Sequence, residues 1–151
     1  MRKVLLDANL IVLLVVGNVG RERISKHKRL SAYRAEDWDL LMEVLAGYEQ
    51  IVLTPNVLTE ASNLIRSGDK SSNDGFSIIL QSLTVDAAEE YVASRDVVID
   101  SRFPRLGLAD VATLGAIDAE TTLLTTDLGL FLAALGQGSQ ATNFNHLRDV
   151  S

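Results

Sequence analysis

The chain has 151 residues, 47% of them hydrophobic, a length and composition that suit one domain around one core. It contains no cysteine, which excludes disulfides and thiolate metal sites and agrees with a cytoplasmic setting. The net charge of −6, taken alone, speaks against a nucleic-acid partner, but the charge is unevenly spread along the chain.

Arg2 and Lys3 precede an apolar run, as in a secretory signal, but Asp7 and Asn9 interrupt it and no small-residue cleavage site follows. The uninterrupted part, Leu10 to Val16, falls short of the roughly 20 residues that cross a bilayer, so no membrane partner is expected. Lys3 to Leu6 reads as a first strand ending in Asp7, and Asn9 to Val16 as a buried helix bracketed by Gly17 and Gly20. Residues 20–34 then carry Arg21, Arg23, Lys26, Lys28, Arg29 and Arg34 against the single acid Glu22, a charge of +5 where the remainder carries −11. Such asymmetry suggests a basic lip on an acidic body.

Trp38, Leu41, Met42 and Leu45 recur at helical spacing, predicting a helix from Glu36 to Gly47. Ile51 to Leu53 is a second strand. Thr54-Pro55 supplies an N-cap hydroxyl and a proline at the first helical position, and the helix runs to about Arg66. Ser67 to Gly75 is a polar loop, followed by a helix from Phe76 to Leu83. Thr84-Val85 reads as a short strand, and Asp86 as the cap of another helix reaching Ala93. Val97 to Ile99 fits either a helix end or a strand. A helix spans Leu108 to Ala119, a strand Leu123-Leu124, a helix Leu128 to Leu135 and a last strand Ala141 to Phe144. Strands alternating with helices imply a single α/β domain of three layers, α/β/α, with a mostly parallel central sheet.

Asp7 and Asp127 directly follow strands, Glu60 lies in the second turn of the helix after strand two, and Asp110 lies in the first turn of its helix. Open α/β sheets bind ligands at the carboxyl ends of their strands, which is where these acids would meet. Clustered carboxylates must take up protons or a cation, since two charges 4 Å apart repel by about 4 kcal/mol at an effective dielectric of 20. An all-oxygen site suits Mg²⁺ or Mn²⁺, either of which can aim a bound water at a phosphodiester. Asp118 lies eight residues beyond Asp110, roughly 12 Å along the same helix, and reads as structural.

Val4-Leu5-Leu6-Asp7-Ala8-Asn9, Thr54-Pro55-Asn56-Val57-Leu58-Thr59-Glu60 with Asn63, Leu106-Gly107-Leu108-Ala109-Asp110 and Leu124-Thr125-Thr126-Asp127 follow one another in an order that resembles the PIN-domain nucleases, and within them the VapC-type toxins. The resemblance covers nearly the whole chain. It implies a metal-dependent endoribonuclease in which Asp7, Glu60, Asp110 and Asp127 form the acidic quartet. Asp7, Asp110 and Asp127 would hold Mg²⁺ or Mn²⁺, some of them through water. Asn9 and Thr125 would be polar neighbours that orient waters or ligands. Many relatives carry a further acid two residues after the last Asp, where this chain has Gly129. RNA is the implied substrate, with Arg21, Arg23, Lys26, Lys28 and Arg29 as its phosphate contacts. A protein antitoxin that plugs the acidic pocket and a second copy in a homodimer are the implied protein partners.

Two other functions compete. A phospho-receiver also uses acids at strand ends but needs a Lys after a late strand, and none follows Ala141 to Phe144. A haloacid-dehalogenase-like phosphatase needs Asp at the position of Asn9. The main alternative within the resemblance is a non-catalytic PIN-like module that binds RNA or protein.

Overall fold

The computed structural model describes residues 1–68 and 73–151. Five parallel strands form one sheet in the order β3-β2-β1-β4-β5, with β1 (Lys3–Leu6) at its centre. β2 (Gln50–Leu53) and β3 (Ala88–Glu89) lie to one side, β4 (Thr121–Thr125) and β5 (Gln140–Asn143) to the other. The chain therefore builds outward from β1 to β3, then returns to the opposite flank of β1. The strand order reverses between β1 and β4, and such a reversal opens a crevice at the carboxyl ends of the two strands.

Alternate residues of the strands feed two cores. Val4, Leu6, Leu53 and Leu124 join α1 (Ala8–Val19), α3 (Pro55–Arg66) and Phe76 of α4 (Asn73–Asp86) on one face. Leu5, Val52 and Leu123 meet Leu114 of α7 (Leu108–Ala116) and Leu130 and Ala134 of α8 (Leu128–Gly136) on the other. The result is the expected α/β/α arrangement with an all-parallel sheet. Among the described residues, no helix is long and apolar enough to cross a membrane.

α1 is buried almost all round, which is why its sequence carries no polar stripe. It also runs past Val16. Gly17 lies inside it rather than ending it, because a Cβ there would sit 2.1 Å from Cδ1 of Trp38 in α2 (Ala35–Leu45). The indole Nε1 donates to the Leu14 carbonyl at 3.3 Å, fixing that close approach.

The expected strand at Thr84-Val85 is instead the last turn of α4. Ile79, Leu80 and Leu83 pack on the core at helical spacing, and the Thr84 hydroxyl donates to the Leu80 carbonyl at 2.8 Å. Asp86 ends this helix and caps no other, and the chain enters the edge strand β3 within two residues. Of the expected polar loop 67–75, residues 69–72 lie outside the described residues, and Asn73 to Gly75 are already helical. Two short helices, α5 (Ser94–Val97) and α6 (Phe103–Leu106), precede α7. α7 stops at Ala116 because Asp118 accepts hydrogen bonds from Glu120 N and the Thr121 hydroxyl, which turns the chain into β4. Phe144 belongs to the final helix α9 (Phe144–Asp149), capped by Asn143, and not to β5.

Candidate functional site

Each acid of the predicted quartet is delivered by a different junction of the fold. Asp7 ends β1 and caps α1, its Oδ1 accepting from Leu10 N at 3.1 Å. Its Oδ2 accepts from the Thr125 hydroxyl and from Thr126 N, the latter at 2.9 Å. Three of roughly four lone-pair positions on this carboxylate are thus filled by the protein, leaving one for a ligand. Asp7 is buried, and that burial pushes its carboxyl upward against the three donors.

Asp127 follows β4 and caps α8, with Oδ1 accepting from Leu130 N at 2.9 Å. Thr125, fully buried, joins the two acids: its hydroxyl donates to Asp7 and accepts from Asp127 N at 3.0 Å. Glu60 stands exposed on α3, which Thr54 caps through Val57 N at 3.2 Å with Pro55 in the first turn. Asp110 lies in the first turn of α7, after Gly107, whose φ of +86° no other residue type adopts readily.

All four carboxylates line one cavity of about 60 Å³ at the crevice between β1 and β4, together with Asn9 and Thr113. Ala8, Val57 and Leu130 form its apolar wall. The acids feel one another there. Asp110, half-buried, has its carboxyl pushed up to about 6, first by burial and then by Asp127, Glu60 and Asp7. Among the described residues, no Lys, Arg or His pairs with any of the four. A wider groove of about 480 Å³ opens beside the cavity and shares Glu60 with it, lined by Asn56, Thr59, Asn63 and Leu108.

Also among the described residues, no three His, Cys, Asp or Glu side chains come close enough together to hold a metal ion. A Mg²⁺ site does not require three, because that ion keeps several waters and is bound directly by one or two carboxylates. The donor set is all oxygen and its negative charge is unpaired, which fits a hard divalent cation.

The basic segment lies elsewhere. Arg21 follows the far end of α1, and twelve helical residues separate that end from Asp7, roughly 18 Å. His27 meets the Ile65 carbonyl at 3.0 Å and Arg29 Nε donates to Ser67 Oγ at 2.9 Å, both at the far end of α3. Arg21 is paired with Asp39 at 2.6 Å. Arg21, Arg23, Lys26, Lys28 and Arg29 therefore form a basic face remote from the acids rather than a lip around them. The segment folds as two 3₁₀ turns, Arg21–Lys26 and Lys28–Leu30, pinned by buried Ile24, His27 and Leu30.

Three residues that sequence reasoning passed over also reach the site. Tyr33 lies beside Thr126 and Asp7, and burial raises its hydroxyl above the ordinary tyrosine value. Asn145 Nδ2 donates to the Thr126 carbonyl at 3.3 Å, and Arg148 holds Asn145 Oδ1 at 2.9 Å. Local sequence gives no signal for them, since each acts through a partner far away in the chain. Comparison of the chain with protein-family models, curated proteins and solved structures gives no match.

Proposed function

We propose that this protein is a metal-dependent endoribonuclease of the PIN-domain type, hydrolysing RNA phosphodiester bonds with Mg²⁺ or Mn²⁺, as the toxin of a toxin–antitoxin pair. The observation that carries the reading is the convergence of Asp7, Glu60, Asp110 and Asp127, from four separate junctions, on one cavity where no basic side chain among the described residues offsets them. Unpaired charge of that kind in a cleft is characteristic of ligand sites. The toxin assignment and an antitoxin partner rest on the sequence resemblance.

In this reading one or two of Asp7, Asp110 and Asp127 hold the cation directly and the rest hold it through water. When bound, the cation would lower the pKa of a coordinated water and stabilise charge building on the scissile phosphate. Asp7 is fixed by its three donors and Asp127 by the first turn of α8, so neither must reorganise when ligand arrives. Glu60 and Asn9 stand exposed at the mouth, free to orient water. The groove beside Glu60 gives an RNA strand room to lie against Asn56 and Asn63. The remote basic face would meet only flanking phosphates, and binding there would weaken with salt.

A second reading is a non-catalytic PIN-like module that binds RNA or protein through the same face. It is favoured by the spacing of the acids, no three of which reach one ion among the described residues. Incubating labelled RNA with Mn²⁺, Mg²⁺ or EDTA separates the two, with Asp7→Asn as the control. Cleavage that needs the cation and fails in the variant supports the nuclease. Cleavage indifferent to both overturns the metal reading, and RNA retained uncut with either cation favours the binding module.

A further inference from the structure

We propose that Arg148, on the last helix, is a positioning residue for Asp7, acting through the turn that follows β4. The role assumes that Asp7 works in the site described above, but the linkage itself can be tested without metal or RNA.

Arg148 is held on several sides at once. Its Nε donates to Asp37 Oδ1 at 3.0 Å, and its Nη2 to Asp37 Oδ2 at 3.1 Å and to the Ala32 carbonyl at 2.6 Å. Nη1 donates to Asn145 Oδ1 at 2.9 Å, and the guanidinium lies over the Tyr33 ring, 4.6 Å from its centroid. The pair is mostly shielded from water, with side chains 24% and 14% exposed for Arg148 and Asp37. A planar fork with five N–H donors can satisfy this set in one orientation, which a lysine cannot.

Of the two residues that Arg148 fixes, Asn145 holds Thr126 directly, its Nδ2 donating to the Thr126 carbonyl at 3.3 Å. Thr126 in turn gives its amide to Asp7 Oδ2 at 2.9 Å. Thr126 is thus held on one side by Asn145 and donates to Asp7 on the other. Arg148 fixes Asn145 on α9 by tying it to Asp37 in the first turn of α2 and to Ala32 just before that helix.

The test compares Arg148→Met and Arg148→Lys with the parent chain by amide hydrogen exchange. Leu10 and Thr126, the two backbone donors to Asp7, are read against Leu5 and Leu123 in the centre of the sheet. Arg148→Met is expected to speed exchange at Thr126 by about 10-fold or more while the sheet amides keep their rates. Arg148→Lys should fall between the two. Mn²⁺ affinity, read in the same variants, should weaken on the order of 10-fold in Arg148→Met, with partial rescue in Arg148→Lys. Should Arg148→Met fail to fold, Asn145→Ala removes the link to Thr126 alone and should reproduce part of the change there. Exchange at Thr126 that stays at the parent rate, or that rises only in step with Leu5 and Leu123, overturns the proposal. A parent chain that neither binds Mn²⁺ nor cuts RNA overturns the nuclease reading and leaves the exchange result to judge the clamp.

Discussion

Asp110 and Asp118 flank the two ends of α7, and their surroundings drive them in opposite directions. Asp110 faces the crevice at the carboxyl ends of the strands, where burial and three other acids push its carboxyl up to about 6. Asp118 faces the opposite edge of the sheet. There Lys3 Nζ sits 3.0 Å away, the Thr121 hydroxyl donates at 2.7 Å and Glu120 N at 2.9 Å, and the carboxyl is held down at about 2. Asp100, bound by Arg102 at 2.7 Å, behaves like Asp118 and is also lowered to about 2. Asp118 and Asp100 are thus each paired with a basic side chain, whereas four acids gather at the cleft with no such partner among the described residues. Stability alone gives no reason to gather unpaired charge there, and the contrast supports the proposed reading of the cleft as a ligand site.

The contrast breaks most visibly in activity. Asp7→Asn and Asp127→Asn should each cut RNA hydrolysis on the order of 100-fold or more, since electrostatic assistance from a held cation is worth several kcal/mol. Asp118→Asn should leave the rate within about twofold, because Asp118 lies beyond the end of α7, paired with Lys3 at the amino end of β1, opposite the crevice. Steady-state cleavage of one labelled RNA by the three variants measures this. Equal losses at Asp118 and Asp127 would remove the distinction between the two edges.

Asp7 also sharpens the comparison in stability. Asp7→Ala leaves the Thr125 hydroxyl and the amides of Leu10 and Thr126 without their acceptor. Losing an N-cap and stranding buried donors should cost about 2–3 kcal/mol in urea unfolding at pH 7. Asp7→Asn keeps an acceptor oxygen and removes a charge that burial disfavours, so it should cost less than the alanine variant.

What could be read from the sequence follows from these same forces. Strands buried on both faces must be apolar throughout, so Val4-Leu5-Leu6 and Leu123-Leu124 announce themselves, and an acid that ends such a run stands out. β3 could not be found that way. Ala88 and Glu89 carry no apolar run and belong to the sheet only through edge pairing with Val52 and Leu53. The β-branched pair Thr84-Val85 pointed to a strand, but a helical face already committed to the core overrode that preference. Gly17 resembled a helix terminator until Trp38, 21 residues on, proved to need the space. The charge of the basic segment was visible and its position was not, because the length of α1 carries it to the other end of the molecule. The clamp on Thr126 was hidden for a related reason: Arg148 and Asp37 meet across 111 residues.

Asp110 and Asp118 themselves give the finest test, because their substitutions should move stability in opposite directions over different pH ranges. A carboxyl raised from 3.8 to about 6 corresponds to at most about 3 kcal/mol against the folded state, and half-exposure screens this to about 1 kcal/mol. Asp110→Asn should therefore stabilise the chain by about 1 kcal/mol at pH 7, raising Tm by about 2–4 °C. That gain is complete above pH 6 and fades as pH falls toward 4, where the folded parent has already taken up the proton.

Asp118 has the reverse sign. Its folded carboxyl lies below the ordinary value, so the stability it contributes is present above about pH 4 and is lost as pH falls through about 2. Asp118→Asn should thus lower Tm at pH 7 by a small amount, since the pair with Lys3 is half-exposed on the Asp118 side. The deficit should shrink between pH 4 and pH 2, just below the window in which the Asp110→Asn gain disappears. Unfolding curves of the two variants and the parent from pH 2 to 8 check both windows in one series. Two variants that shift stability in the same direction would mean that the cleft acids are stabilised by something other than a missing partner, and the case for a cation there would lose its electrostatic ground.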